Sequence, residues 1–274
     1  MIICLPETVH ASGTKIGQAT CGENGKLRDC KAGDQSGGEV SISSWSYRSG
    51  AYHWKYVFRA KDPQIAKKIA QNMKEAASNN NIGYDQKSPD RNTFYDEAKK
   101  ANWDISAISV RCETTCGASV SVCLNAAGVK VPRLWYTELI HDDIMKTGMF
   151  DCYTSKEYTA TDKNLLPGDI LCSEGHTAMV VESPNKFFFK VTYVENGKEE
   201  VETYQEDTDI YLYMNNGKEP EKITVTKDID LKDYTPEKRG FKFIDWEKKD
   251  NAFVARYQSN MVPLVVKGDL KIIE

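Results

Sequence analysis

No run of apolar residues in this 274-residue sequence reaches the roughly 20 needed to cross a bilayer, so no membrane span is expected. Nor is there a basic excess. The 36 Lys and Arg stand against 40 Asp and Glu, a net charge of −4, where a nucleic-acid binder shows a positive footprint. The start of the chain, Met1-Ile2-Ile3-Cys4-Leu5-Pro6-Glu7, lacks the basic flank and the apolar length of a signal peptide. Synthesis in the cytoplasm is therefore expected, with any export by another route. The eight cysteines (4, 21, 30, 112, 116, 123, 152 and 172) contain no Cys-x-x-Cys pair, and Cys112 with Cys116 has no matching pair elsewhere. That spacing argues against a zinc site, and the missing signal peptide argues against disulfides. No metal and no cofactor is expected, most thiols read as small core residues, and no internal repeat is visible.

What is present centres on Cys116. From Cys116 onward, small and apolar residues recur at helical spacing, with Cys116, Val120, Cys123, Leu124 and Ala127 on one face. Thr114 or Thr115 can cap the start of this helix and Gly128 can stop it. Cys116 would then lie in the first turn, where unpaired N–H groups and the helix dipole favour a thiolate. A thiolate needs a base. Gly175-His176-Thr177-Ala178-Met179-Val180-Val181 reads as a strand with a histidine at its head. A thiol on a helix N-terminus facing an imidazole on a strand is the papain-like arrangement. Taken alone, Cys116 reads as a core cysteine as readily as a nucleophile, and the His176 segment favours the second role.

The other histidines are poorer bases by position: His10 sits in a loose N-terminus, His53 among aromatics suited to packing, and His141 on a charged helix facing solvent. A third catalytic member is harder to find. Glu182 shares the strand face of His176 but lies six residues on, about 20 Å along the strand. If Ser183-Pro184-Asn185-Lys186 turns a hairpin, residue 193 lies opposite His176 and Glu195 becomes the nearest diagonal acceptor.

Along the chain, Val40 to Trp45 alternates like a strand and Tyr56-Val57-Phe58-Arg59 is a second apolar run. Asp62-Pro63 opens a helix that carries Ile65, Ile69 and Met73, and Ser78-Asn79-Asn80-Asn81 closes it. Residues 82–86 read as a loop, 92–102 as a polar helix, and 136–147 as another helix before Gly148. Strands follow from Ile170 to Met214, so helices first and antiparallel strands second predict an α+β domain. Polar residues 215–220 suggest a linker. The expected division is a catalytic domain with an N-terminal extension over 1–214 and a small β-rich accessory module over 221–274, including a strand at 264–266.

Several of these segments together carry a family resemblance. Cys116 with Val120, Val122, Cys123 and Asn125-Ala126-Ala127-Gly128 resembles the nucleophile helix of NlpC-type cell-wall peptidases, in particular a phage-lysin-like group. Ala32-Gly33-Asp34-Gln35 with Glu39-Val40, Val57 to Asp62, Ile82 to Gln86, Leu166-Pro167-Gly168-Asp169-Ile170-Leu171 and Gly175-His176-Thr177 are similar to that group in order and spacing, over roughly residues 15–182. The resemblance implies a papain-like fold, with helices packed on an antiparallel sheet, and cysteine-dependent cleavage of amide bonds in peptidoglycan stem peptides. It implies action at the bacterial wall after holin-type release. It also implies that the hydroxyl of Tyr84 borders the nucleophile and assists the oxyanion; an ordinary core tyrosine is the other reading. The family usually has Asp-Cys-Ser where this chain has Thr115-Cys116-Gly117. That departure keeps open a catalytically weakened wall-binding or adhesion protein, and a host-directed cysteine protease would share the same dyad. In the tail, Tyr234-Thr235-Pro236 with Gly240-Phe241-Lys242-Phe243 and Trp246 resembles an internalin-type B-repeat.

Overall fold

A computed structural model describes residues 13–260 except 49, 51, 52, 88, 89 and 134. Cys4, His10 and the strand expected at 264–266 lie outside the described residues. The chain divides between Asn185 and Lys186.

The first unit runs β1 (Lys15–Ala19), β2 (Val40–Ser44), β3 (Tyr56–Ala60), α1 (Pro63–Ser78), β4 (Ile82–Tyr84), α2 (Thr93–Lys100), β5 (Cys112–Thr114), α3 (Cys116–Ala126), α4 (Thr137–Lys146), β6 (Phe150–Tyr153), α5 (Lys156–Thr159), β7 (Ile170–Ser173) and β8 (His176–Glu182). Six of these strands form one antiparallel sheet in the order β2-β1-β8-β7-β3-β6. The class is α+β, but the strands do not all follow the helices. Three precede α1, and β8 lies between β1 and β7, so the two ends of the unit meet in the middle of the sheet. β4, which lies in the segment expected to be a loop, forms a separate parallel ribbon with β5.

One sheet face buries Ile16, Val57, Leu171, Ala178 and Val180 with Trp54 and Leu165. α1 begins as its sequence dictates: the Asp62 side chain accepts the Gln64 N–H at 2.8 Å and Pro63 takes the first turn, where no intrahelical donor is lost. Asn72 on α1 donates to the Cys123 carbonyl at 2.8 Å, which ties α1 to α3. The Leu166-Pro167-Gly168-Asp169 turn has a structural purpose. Arg59 donates Nε and Nη2 to the two Asp169 oxygens at 2.8 and 2.6 Å, and Asp169 Oδ2 also accepts the Leu166 N–H.

The loop before β2 is held by carboxylates. Asp34 accepts the N–H groups of Ser36, Gly37, Gly38, Glu39 and Val40; Glu39 Oε2 accepts that of Tyr84, and Glu113 Oε1 that of Gly33. At Gly83 a Cβ would lie 2.7 Å from the Gly33 carbonyl carbon, so the two backbones could not approach this closely with any side chain there. The similarity at 33–40 and 82–85 thus falls on a clamp that positions the β4–β5 ribbon, and β5 leads directly into Cys116.

The second unit contains β9 (Phe188–Glu195), β10 (Lys198–Gln205), β11 (Asp209–Tyr213), β12 (Glu221–Thr224), β13 (Ile229–Asp230), β14 (Phe241–Lys249) and β15 (Ala252–Ser259). They form two sheets, β10-β9-β13 and β12-β11-β15-β14, around Tyr193, Leu212, Trp246 and Phe253. The division after Asn185 falls earlier in the chain than the boundary expected at 214–221. β11 pairs with β12 on one edge and with β15 on the other, so it belongs with the tail, and residues 215–220 connect β11 to β12. Turns and linkers share a polar composition, and only the pairing separates them.

Truncation after Asn185 severs no strand ladder and should leave a soluble, cooperatively folding chain. Truncation after Met214 strips both partners from β11 and should aggregate, because exposed strand edges template association. Circular dichroism and size-exclusion chromatography of the two chains check this; a soluble 214-residue form beside an insoluble 185-residue form would contradict the boundary.

Candidate active site

α3 begins where the sequence signals it. Thr115 is extended (φ −127°, ψ 174°), and its Oγ1 accepts the Ala118 N–H at 3.2 Å, an N-cap bond. The second departure also has a physical reason. A Cβ at Gly117 would overlap the Trp135 carbonyl oxygen, so no serine fits there while that strand of backbone crosses the helix start. Thr115-Cys116-Gly117 is therefore a consistent local solution.

The Cys116 thiol lies against the N–H groups of Thr177, Gly117 and Cys116 itself. Thr177 follows His176, so α3 and the head of β8 bring the two expected residues to one place. No hydrogen bond joins thiol and imidazole directly among the described residues; such bonds are often long before substrate binds. Burial pushes the Cys116 thiol above its ordinary range, and the three N–H groups and the Arg48 charge offset only part of this. Burial thus works against the acidic thiol expected from the helix start. The buried thiols of Cys112 and Cys172 are pushed up to about 12.

His176 is fixed by a residue that sequence reasoning missed. Its Nε2 lies 2.8 Å from Gln18 Oε1 on β1, and Gln18 Nε2 donates to Ser43 Oγ on β2 at 3.0 Å. In this arrangement the Gln18 amide nitrogen donates to Ser43 and its oxygen accepts from the imidazole. Nε2 therefore carries the hydrogen and Nδ1 is left as the basic nitrogen. Burial, reinforced by the Arg48 charge, pushes the imidazole down to about 4. Both shifts favour the uncharged forms of the thiol and the imidazole. Activity that needs neutral His176 should then rise with pH through about 4 and stay level across neutrality, without falling near the ordinary imidazole range. A pH profile of kcat/KM checks this; an acid limb at 6 to 7 would contradict it.

The hairpin expected to bring Glu195 beside His176 is not formed. The expectation required β9 to fold back on β8, but both edges of β8 are occupied by β1 and β7, and Glu195 pairs with Lys198 in the second unit. Tyr84 ends β4 opposite Thr114 and is 2% exposed; its hydroxyl accepts from Gln86 at 2.7 Å. Burial pushes the phenol up to about 12, and Cys116, Cys21 and Cys30 are close enough to add to the shift, so it is a neutral donor near the thiol. Of the other histidines, His53 is exposed with Nδ1 on the Gly50 carbonyl. His141 is half-buried against Tyr56 and Phe58.

Cys116 opens into a cleft of about 230 Å³ lined by Arg28, Gln86, Arg91, Tyr136 and Glu138 among others. A second depression shares Thr137 and Glu138 with it and is also lined by Lys55, His141 and Glu174. Among the described residues, Glu23, Asp34 and Glu39 bring carboxylate oxygens within 4.8 Å of one another. The Asp34 oxygens are already filled by loop N–H groups, which makes the cluster a backbone clamp and a poor cation ligand set.

A family model described as an endolysin-like domain matches residues 16–187, a span that includes Gln18, Tyr84, Cys116 and His176. No curated protein and no solved structure matches the chain.

Proposed function

Since this chain belongs to the endolysin-like domain family, which points to a lysin-type action on the cell wall, we propose that it is a cysteine-dependent hydrolase of peptidoglycan stem peptides, an endopeptidase or amidase with a papain-like catalytic unit. The observation that carries this reading is Cys116 at the start of α3 against the head of β8, with the His176 imidazole held by Gln18.

In this mechanism Cys116 Sγ attacks the scissile carbonyl carbon while Nδ1 of His176 takes the thiol proton. The carbonyl oxygen becomes an oxyanion and is held by the N–H groups at the start of α3, with the Tyr84 hydroxyl as a candidate further donor. Collapse breaks the C–N bond, and the departing amine takes the proton from His176. Water then attacks the thioester, gives its proton to Nδ1, and releases the carboxylate; the proton returns to Sγ. The second unit is proposed as a wall- or surface-binding accessory, in line with the tail's resemblance to a B-repeat.

Turbidity of purified bacterial walls tests the proposal. Clearing by the full chain is expected; binding without clearing would favour a wall-binding protein that has lost its chemistry.

A further inference from the structure

The cleft into which Cys116 opens has a sign of its own. Of its described lining, Arg28, Arg91 and Glu138 are charged, so the surface around the thiol is net positive in a chain whose net charge is −4. The two arginines come from different segments, and each segment is held in place. Arg91, just before α2, donates Nη2 to the Tyr136 hydroxyl at 3.0 Å, and its guanidinium carbon lies 5.5 Å from the centre of the Tyr136 ring. Tyr136 is itself part of the lining, so this contact sets the guanidinium against the cleft wall and uses one of its N–H groups.

Arg28 lies on the connection between β1 and β2. The Leu27 carbonyl before it accepts the Gln86 N–H at 2.8 Å, and the Cys30 N–H after it donates to Asp85 Oδ2 at 2.8 Å. The loop is thus bonded on both sides of Arg28 to the segment that brings Gln86 into the cleft. Asp29, the carboxylate next in sequence, pairs with Lys87. The second depression is built differently, since its Lys55 pairs with Glu174 of the same lining at 3.0 Å.

A guanidinium presents its donors in a planar fork whose best complement is a carboxylate. A cleft of about 230 Å³ has room for only a short stretch of peptide, so a group held by its arginines lies close along the chain to the amide at Sγ. We propose that Arg28 and Arg91 form a carboxylate subsite of the Cys116 cleft, so that the enzyme prefers stem peptides with a free carboxylate flanking the scissile amide over the same peptides bearing a carboxamide there. The inference rests on the proposed hydrolase function and names the substrate feature that this function reads. Such a subsite holds the ground state and the transition state alike, so its contribution falls mainly on KM.

The experiment uses the full chain and three defined stem peptides: one with both carboxylates free, one amidated at the isoglutamate carboxyl, and one amidated at the C-terminus. A carboxamide keeps the shape of the carboxylate and loses its charge. One of the two amidations should lower kcat/KM about tenfold, mostly through KM, and the preference should shrink as salt rises. Which amidation does so identifies the carboxylate. Arg28→Gln and Arg91→Gln should each reduce the preference, and the double variant should erase it. Arg28 is exposed, so Arg28→Gln leaves the Arg91–Tyr136 contact in place and keeps the test decisive should Arg91→Gln fold poorly. Equal cleavage of all three peptides by the wild type overturns the inference and leaves the hydrolase reading intact. So does a loss in the variants that falls equally on all three peptides, which is what a purely structural role for the arginines would give. Failure of the wild type to cleave any of the peptides overturns both.

Discussion

Cys116→Ala is expected to remove wall lysis altogether, a loss of at least about 10⁴-fold in rate, with no change in fold. The nucleophile is the one group for which no neighbour can substitute. Cys112, the nearest thiol in sequence, is buried in β5 and pushed up to about 12, so it offers almost no thiolate. The fold should survive because the start of α3 is held by the Thr115 cap and by the Trp135 backbone, neither of which involves the thiol. Turbidity and circular dichroism of the purified variant separate the two effects. Undiminished lysis would place the chemistry elsewhere.

The second large effect concerns the base and its support. His176→Ala should cost several orders of magnitude in kcat. Gln18→Ala should cost less, about 10- to 100-fold, since it removes the acceptor that holds Nε2–H and leaves the imidazole free to rotate or to change tautomer. The loss should fall on kcat with KM nearly constant, because Gln18 positions the base without meeting the substrate. Glu195→Gln should leave turnover unchanged, since Glu195 lies in the second unit opposite Lys198. Steady-state kinetics of the three variants decide the order; a larger loss in Glu195→Gln than in Gln18→Ala would reverse the assignment.

The sequence was most legible where a signal is local. The Cys116 helix, its Thr115 cap, the Asp62-Pro63 helix start and the His176 strand are each written within a few neighbouring residues, and each stands where expected. Gln18 was illegible because its role depends on a contact with His176 across 158 residues of sequence, made only when β1 pairs with β8. The same long-range pairing misled the search for a third residue: a hairpin from β8 to β9 is the economical guess, but β1 and β7 already occupy both edges of β8. The division at Asn185 is hard to read from sequence for a related reason, since β11 finds its partners after residue 220. The thiol's acidity is only partly legible, because a helix start can be read from sequence whereas the desolvation that opposes it belongs to the tertiary structure.

The most direct measurement of the central claim is the mass of the fragments that the wild-type chain and Cys116→Ala release from a peptidoglycan of defined composition. The account predicts fragments from the wild type that carry a new amine and a new carboxylate at an amide bond of the stem peptide or its junction with the sugar, and none from the variant. Fragments cut at a glycosidic bond, or the same amide products from Cys116→Ala, would contradict it.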